Sequence, residues 1–205
     1  MSNYLDELNE SQREAVTYVD GPSLVIAGAG SGKTRVLTYK IAHLLEMGYT
    51  PWSILALTFT NKAAREMKER IARQVGERAR YLWMGTFHSL FSRILRMEAS
   101  MIGFTPNFTI YDSSDSERVM KEIVKDMGLD DKTFPPKYVL GAISREKDNM
   151  VSPQQMLERA ERSGDIRALH IARAYVKYQT QLKDNNALDF DDIIYVTVKL
   201  LLENE

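Results

Sequence analysis

The residues in this sequence best suited to chemistry run from Ala27 through Gly28, Ala29, Gly30, Ser31, Gly32 and Lys33 to Thr34. Glycine at alternate positions lets a loop curl until successive backbone N–H groups point inward at one anion. A helix starting at Gly32–Lys33 adds its positive end, equivalent to roughly half a charge. Lys33 then reaches the β- and γ-phosphates of a nucleotide, and the Thr34 hydroxyl ligates Mg²⁺. The pattern is G-x-x-x-x-G-K-[ST] with Ala27 in place of the first glycine. Alanine is tolerable there because a strand-like position 27 needs no positive φ. The bland alternative is a glycine-rich turn carrying a surface lysine.

Such a loop must be held between a strand and a helix. Ser23–Ala27 is a short apolar run directly before the glycines, and Val36, Leu37, Ile41, Leu44 and Leu45 follow at helical spacing. Ile54–Phe59 and Tyr81–Phe87 are two further apolar runs, each followed by a helical pattern. After Thr86, the residues Phe87, Leu90, Phe91, Ile94, Leu95, Met101 and Ile102 recur at threes and fours. Short apolar strands alternating with helices predict an α/β fold with a parallel sheet covered by helices. The second half reads differently. Phe108–Tyr111 is one more possible strand, and a helical, polar region then occupies about residues 109–187.

An acid that would hold Mg²⁺ is harder to find. Asp112 opens a capping sequence with Ser113, Ser114 and Asp115 and reads as a helix N-cap. Asp189, Asp191 and Asp192 follow no predicted strand and read as a cap and first-turn acids. Val196–Leu202 is apolar helix running almost to the last residue, so a piece of a longer protein is expected.

Composition narrows the function classes. Of 205 residues, 27 are Lys or Arg and 28 Asp or Glu, a net charge of −1, which excludes a globally basic binder. There is no cysteine, so disulfides, thiolate metal sites and thiol catalysis are excluded. Residues 1–20 carry five acids and one Arg without an apolar core, unlike a secretory leader, and no apolar run approaches the ~18 residues of a membrane span. A cytoplasmic protein is expected. Charge is uneven, however: residues 60–101 hold nine Lys/Arg against four acids. That is either a solvated helix face or an anion-facing surface.

The loop, together with Leu8–Val16 (LNESQREAV), Thr58–Met67 (TFTNKAAREM), Gly85–Ser89 (GTFHS) and Leu188–Ile193 (LDFDDI), resembles the superfamily 1A DNA helicases, the UvrD/PcrA/Rep group. The blocks stand in the family's order and span nearly the whole chain. The resemblance implies a RecA-like, P-loop parallel sheet with an inserted all-helical subdomain. Residues 1–108 would begin the motor domain, 109–187 form the insertion, and 188–205 return to the motor domain before its Mg²⁺-binding acids.

It further implies ATP and Mg²⁺ as cofactors, with Gln12 reading adenine. On its residues alone Gln12 is a polar position on the first helix, yet its amide offers a donor and an acceptor together. Arg35 would approach the phosphates or remain a solvated first-turn arginine. Thr58, Phe59, Thr60, Asn61 and Lys62, and then Thr86, Phe87 and His88, would contact single-stranded DNA where open α/β sheets present ligands, at strand carboxyl ends. The bland readings are core packing for Phe59 and Phe87, capping for Thr86 and a structural His88. The implied activity is ATP-driven 3′-to-5′ translocation and unwinding at single-strand/duplex junctions, with these 205 residues inactive alone. Rival readings are a RecB/AddA-like helicase-nuclease subunit, a small P-loop kinase, and a non-catalytic DNA-binding module.

Overall fold

The computed structural model describes residues 4–204. It is α/β, mostly helical with short parallel strands, and packs as two compact units, Met1–Leu90 and Phe91–Glu205.

The first unit opens with a 3-10 turn, Tyr4–Glu7, and helix α1, Glu10–Thr17. Asn9 starts α1 through a capping box: its side chain accepts from the Gln12 N–H while the Gln12 side chain accepts from the Asn9 N–H. Helix α2, Lys33–Glu46, starts behind Gly32, whose φ of 86° is left-handed. Strand β1, Leu55–Thr58, leads to helix α3, Asn61–Val75, capped by Thr60. Strand β2, Trp83–Thr86, runs parallel to β1, with Thr58 opposite Thr86. Helix α4, Phe87–Met97, follows at once, and the division between units falls within it.

Ala56 of β1 is buried with Ile41 and Leu45 of α2, Met67 and Ile71 of α3, and Leu82. Met67 and Ile71 lie one helical turn apart, which leaves Lys62, Arg65, Lys68, Arg70 and Arg73 exposed on the rest of α3. Five of the nine basic residues of the 60–101 run therefore stand exposed on this one helix.

One expected element differs. Ser23–Ala27 is not a strand: it pairs with no described residue, and Leu24 and Ile26 are 85% and 88% exposed. A strand exists only through ladder bonds to a neighbour, and an apolar run cannot supply them itself. Among the described residues, the sheet of the first unit consists of β1 and β2.

In the second unit, strand β3, Thr109–Tyr111, is followed by helices α5, Ser113–Asp126; α6, Pro136–Asp148; α7, Pro153–Ser163; and α8, Ile166–Asp184. Strand β4, Ala187–Asp189, then pairs parallel with β3, and helix α9, Phe190–Glu203, ends the description. The helices enclose a core centred on Met120, Ile143, Tyr175, Tyr178 and Leu182. Asp112 caps α5 and Asp189 caps α9, each with a capping box. Asp189 ends a strand, although none was expected before it. The three-residue β4 is too short for a period of two to announce it, and only its partner β3 defines it. The stretch 109–187 begins and ends in this strand pair, Thr109 opposite Ala187.

No helix among the described residues is long and apolar enough to cross a membrane.

Candidate functional site

The glycine-rich loop lies open at the surface. Gly28, Ala29, Gly30 and Ser31 are exposed and Ala27 is half-buried. Gly30 and Gly32 take φ of 77° and 86°, a left-handed geometry that favours glycine. A Cβ placed on Gly28 or Gly30 would meet nothing within 4 Å, so both positions face open space. The start of α2 has no side-chain cap, leaving its first N–H groups to an outside acceptor. The Lys33 ammonium folds over the loop and donates to the Ala27 and Gly28 carbonyls at 2.8 and 2.7 Å. Ser31 donates to the same Gly28 carbonyl from its N–H (3.3 Å) and its hydroxyl (2.7 Å). These are donors of the kind that hold phosphates, turned here onto the loop's own carbonyls. Thr34 is exposed in the first turn of α2, suited to Mg²⁺ brought with the phosphates. No group of three His, Cys, Asp or Glu among the described residues could hold a metal alone.

Gln12 sits against this loop. Its Nε2 donates to the Ser31 carbonyl at 3.0 Å. Arg35 points elsewhere: it donates to the Glu7 carbonyl at 3.0 Å, pairs with the Glu7 carboxylate at 2.9 Å, and lies over the Tyr39 ring. Tyr39 donates to the same carboxylate, which raises its pKa above the ordinary value. Glu7 escaped sequence reading because an acid in a four-residue 3-10 turn has no periodic signature. Asn9 was legible in principle, since Asn with Gln three residues later is a capping-box pattern.

Gly32 faces two constraints at once. Besides its left-handed φ, an added Cβ would stand 2.8 Å from Gln12 Nε2. Gly32→Ala is expected to destabilise the first unit by about 1–3 kcal/mol and to weaken nucleotide binding. An unchanged melting temperature together with unchanged ATP affinity would contradict this.

The other expected residues gather at the carboxyl ends of β1 and β2. Parallel register puts Thr58 beside Thr86, so the next residues, Phe59 and Phe87, become neighbours, with ring centroids 5.7 Å apart at 44°. Phe59 is 91% exposed, which removes core packing as its role. Phe87 and His88 are half-buried in the first turn of α4. Thr58 donates to the Thr60 carbonyl and Thr60 accepts from the Ala63 N–H. Thr86 accepts from the Ser89 N–H. Asn61 and Lys62 are exposed at the start of α3. Both blocks therefore form one ledge with two aromatic rings, hydroxyls, an amide and an ammonium.

The second unit holds a feature that sequence reading missed. Lys147, 2% exposed, reaches Asp189 and Asp192, each at 2.8 Å. Val139, Ile143 and Lys147 are spaced by four, so a lysine occupying the next core position of α6 was the available signal.

Comparison with known proteins accords with these blocks. Residues 8–205 match the family model of the UvrD/REP helicase N-terminal domain. The chain is 48% identical over 201 residues to the ATP-dependent DNA helicase PcrA of Staphylococcus aureus (strain Mu50), covering 98% of this chain and 27% of that protein. It is 47% identical over 201 residues to the protein of the same name from Staphylococcus epidermidis (strain ATCC 12228), with the same coverage. The chain thus spans about a quarter of the length of these relatives. With the matched stretch taking in the phosphate loop, the ledge and the LDFDDI segment, the chain belongs to the UvrD/REP helicase N-terminal domain family.

Proposed function

We propose that this chain is the nucleotide-binding motor portion of an ATP-dependent DNA helicase that moves 3′ to 5′ on single-stranded DNA and opens duplex at the junction. The observation that carries the reading is the pairing of two features in one unit: an open phosphate loop crossed by Lys33, and a ledge where Phe59 and Phe87 stand together. The relatives' printed names, ATP-dependent DNA helicase, support it.

In this reading residues 1–108 begin a RecA-like domain, 109–187 are its helical insertion, and 188–205 lead back into it. The amides of Gly28–Gly32 and Lys33 hold the triphosphate, Thr34 meets Mg²⁺, and Gln12 reads the base. Arg35 reaches the phosphates only by leaving Glu7. Mg²⁺, when bound, neutralises charge on the β- and γ-phosphates. Phe59 stacks on a base, while Thr58, Thr60, Asn61, Lys62, Thr86 and His88 contact the strand's backbone without reading sequence.

A strand-displacement assay on the full-length protein tests this: unwinding with ATP, none with a non-hydrolysable analogue, and DNA-stimulated ATP turnover are expected. ATP turnover indifferent to DNA would overturn the helicase reading. Phe59→Ala is expected to weaken single-stranded DNA binding by about 1–3 kcal/mol, the worth of one stacked base. Because the ring is exposed, the melting temperature should hardly move. Titration with a fluorescent oligonucleotide checks the first part and a thermal melt the second.

A further inference from the structure

We propose that Asn9 is a positioning residue that fixes the polarity of the Gln12 amide and so sets the preference for adenine over guanine. The inference rests on reading Gln12 and the phosphate loop as one nucleotide site. A glutamine amide has two acceptor positions on Oε1 and two protons on Nε2. Here one of each is already engaged. Oε1 accepts from the Asn9 N–H at 3.2 Å, and Nε2 donates to the Ser31 carbonyl at 3.0 Å. One acceptor position and one proton remain.

Adenine presents an amino donor at N6 beside the N7 acceptor, matching that remainder. Guanine presents two acceptors, O6 and N7, and leaves one of them facing an oxygen. The amide cannot turn over to suit another base. Reversed, it would set Oε1 against the Ser31 carbonyl and its NH₂ against the Asn9 N–H. The Asn9 side chain secures this arrangement by accepting from the Gln12 N–H at 2.9 Å, which holds the first turn of α1 in register.

The same contacts lead to the phosphates. Ser31, whose carbonyl holds Gln12, also donates through its N–H and hydroxyl to the Gly28 carbonyl, and Lys33 donates to that carbonyl too. A continuous hydrogen-bonded path therefore joins the cap of α1 to the lysine ammonium. Gly32 keeps the path intact because a Cβ there would displace Gln12 Nε2.

The test compares DNA-stimulated ATP and GTP turnover by the full-length protein and its Asn9→Ala, Asn9→Gly and Asn9→Ser variants. Asn9→Gly is included because glycine keeps most N-capping while deleting the Oδ1 acceptor. In Asn9→Ala and Asn9→Gly the ATP-over-GTP ratio of kcat/KM should fall about three- to tenfold, the equivalent of one net hydrogen bond, chiefly through a higher KM for ATP. Asn9→Ser, which restores an acceptor, should recover most of the ratio. A ratio unchanged in the alanine and glycine variants, an equal loss for both nucleotides, a failure of serine to rescue, or no ATP preference in the parent protein would each overturn the proposal. Undiminished turnover by Lys33→Ala would instead overturn the nucleotide-site reading, and the proposal with it.

Discussion

Lys33→Ala in the full-length protein is expected to lower ATP turnover by a factor on the order of 10²–10³ and to stop strand separation, while single-stranded DNA binding persists. The magnitude is that of removing one preorganised charge-stabilising donor from a site where anionic charge shifts. Lys33 is the ammonium that covers the loop, 2.7 and 2.8 Å from two of its carbonyls. The loop itself should survive, since Ser31 still holds the Gly28 carbonyl through its N–H and hydroxyl. The ledge at Phe59 and Phe87 is built by the β1–β2 register and does not use Lys33. Lys33→Arg should not rescue, because a planar guanidinium is not a compact ammonium. Parallel assays of ATP turnover, unwinding and oligonucleotide binding separate the effects. Equal losses of DNA binding and turnover would show that the lysine serves the fold rather than the phosphates.

The site was legible in the sequence where it depends on local chemistry. Gly32-Lys33-Thr34 was readable because a left-handed glycine directly before a helix with no side-chain cap is a local geometry that its own residue types announce. Asp112 marked a helix start correctly, since capping acts within one turn. What failed depended on partners distant in the chain. Ser23–Ala27 looked like a strand, but strand identity lies in a neighbour's hydrogen bonds. Strand β4 was invisible for the same reason. Arg35 looked available to phosphate because its partner, Glu7, lies 28 residues away. Asp189 and Asp192 were read as capping acids, which they are, through reciprocal bonds at 2.8 and 3.1 Å. Their second role as the counterions of Lys147 spans more than forty residues and leaves no local trace.

That buried cluster gives the largest expected stability effect. Lys147→Met should destabilise the second unit by about 3–5 kcal/mol, because it strands two carboxylates in the interior rather than because it deletes a favourable pair. Asp192 is fully buried and Asp189 7% exposed. Tyr178 donates to Asp189 and Gln179 to Asp192, each at 3.0 Å, but neither brings a positive charge. Removing the carboxylates as well, with Asp189→Asn and Asp192→Asn added, should recover most of the loss, since asparagine still caps a helix.

The pH dependence follows from the sharing of one ammonium by two acids. Burial tends to depress the Lys147 pKa, but Asp192 and Asp189 outweigh it and hold the pKa above its ordinary value, so the lysine stays charged at neutral pH. Burial also penalises the Asp189 carboxylate, yet Lys147 outweighs this and keeps its pKa below the usual range. Asp192 is pushed up to about 6, by burial first, with Asp189 adding to the rise against the pull of Lys147. A folded pKa above the unfolded one means that the folded state takes up the proton first. Asp192 therefore adds stability as pH falls through about 6 toward its ordinary 3.8, whereas the contribution of Asp189 is lost only below that ordinary value. Hydrogen exchange of the α6 and α9 amides between pH 7 and pH 5, corrected for intrinsic rates, should show protection rising in the parent protein and flat in Asp192→Asn. Protection that falls over that interval in the parent protein would mean that Asp192 is held ionised by Lys147 as firmly as Asp189 is.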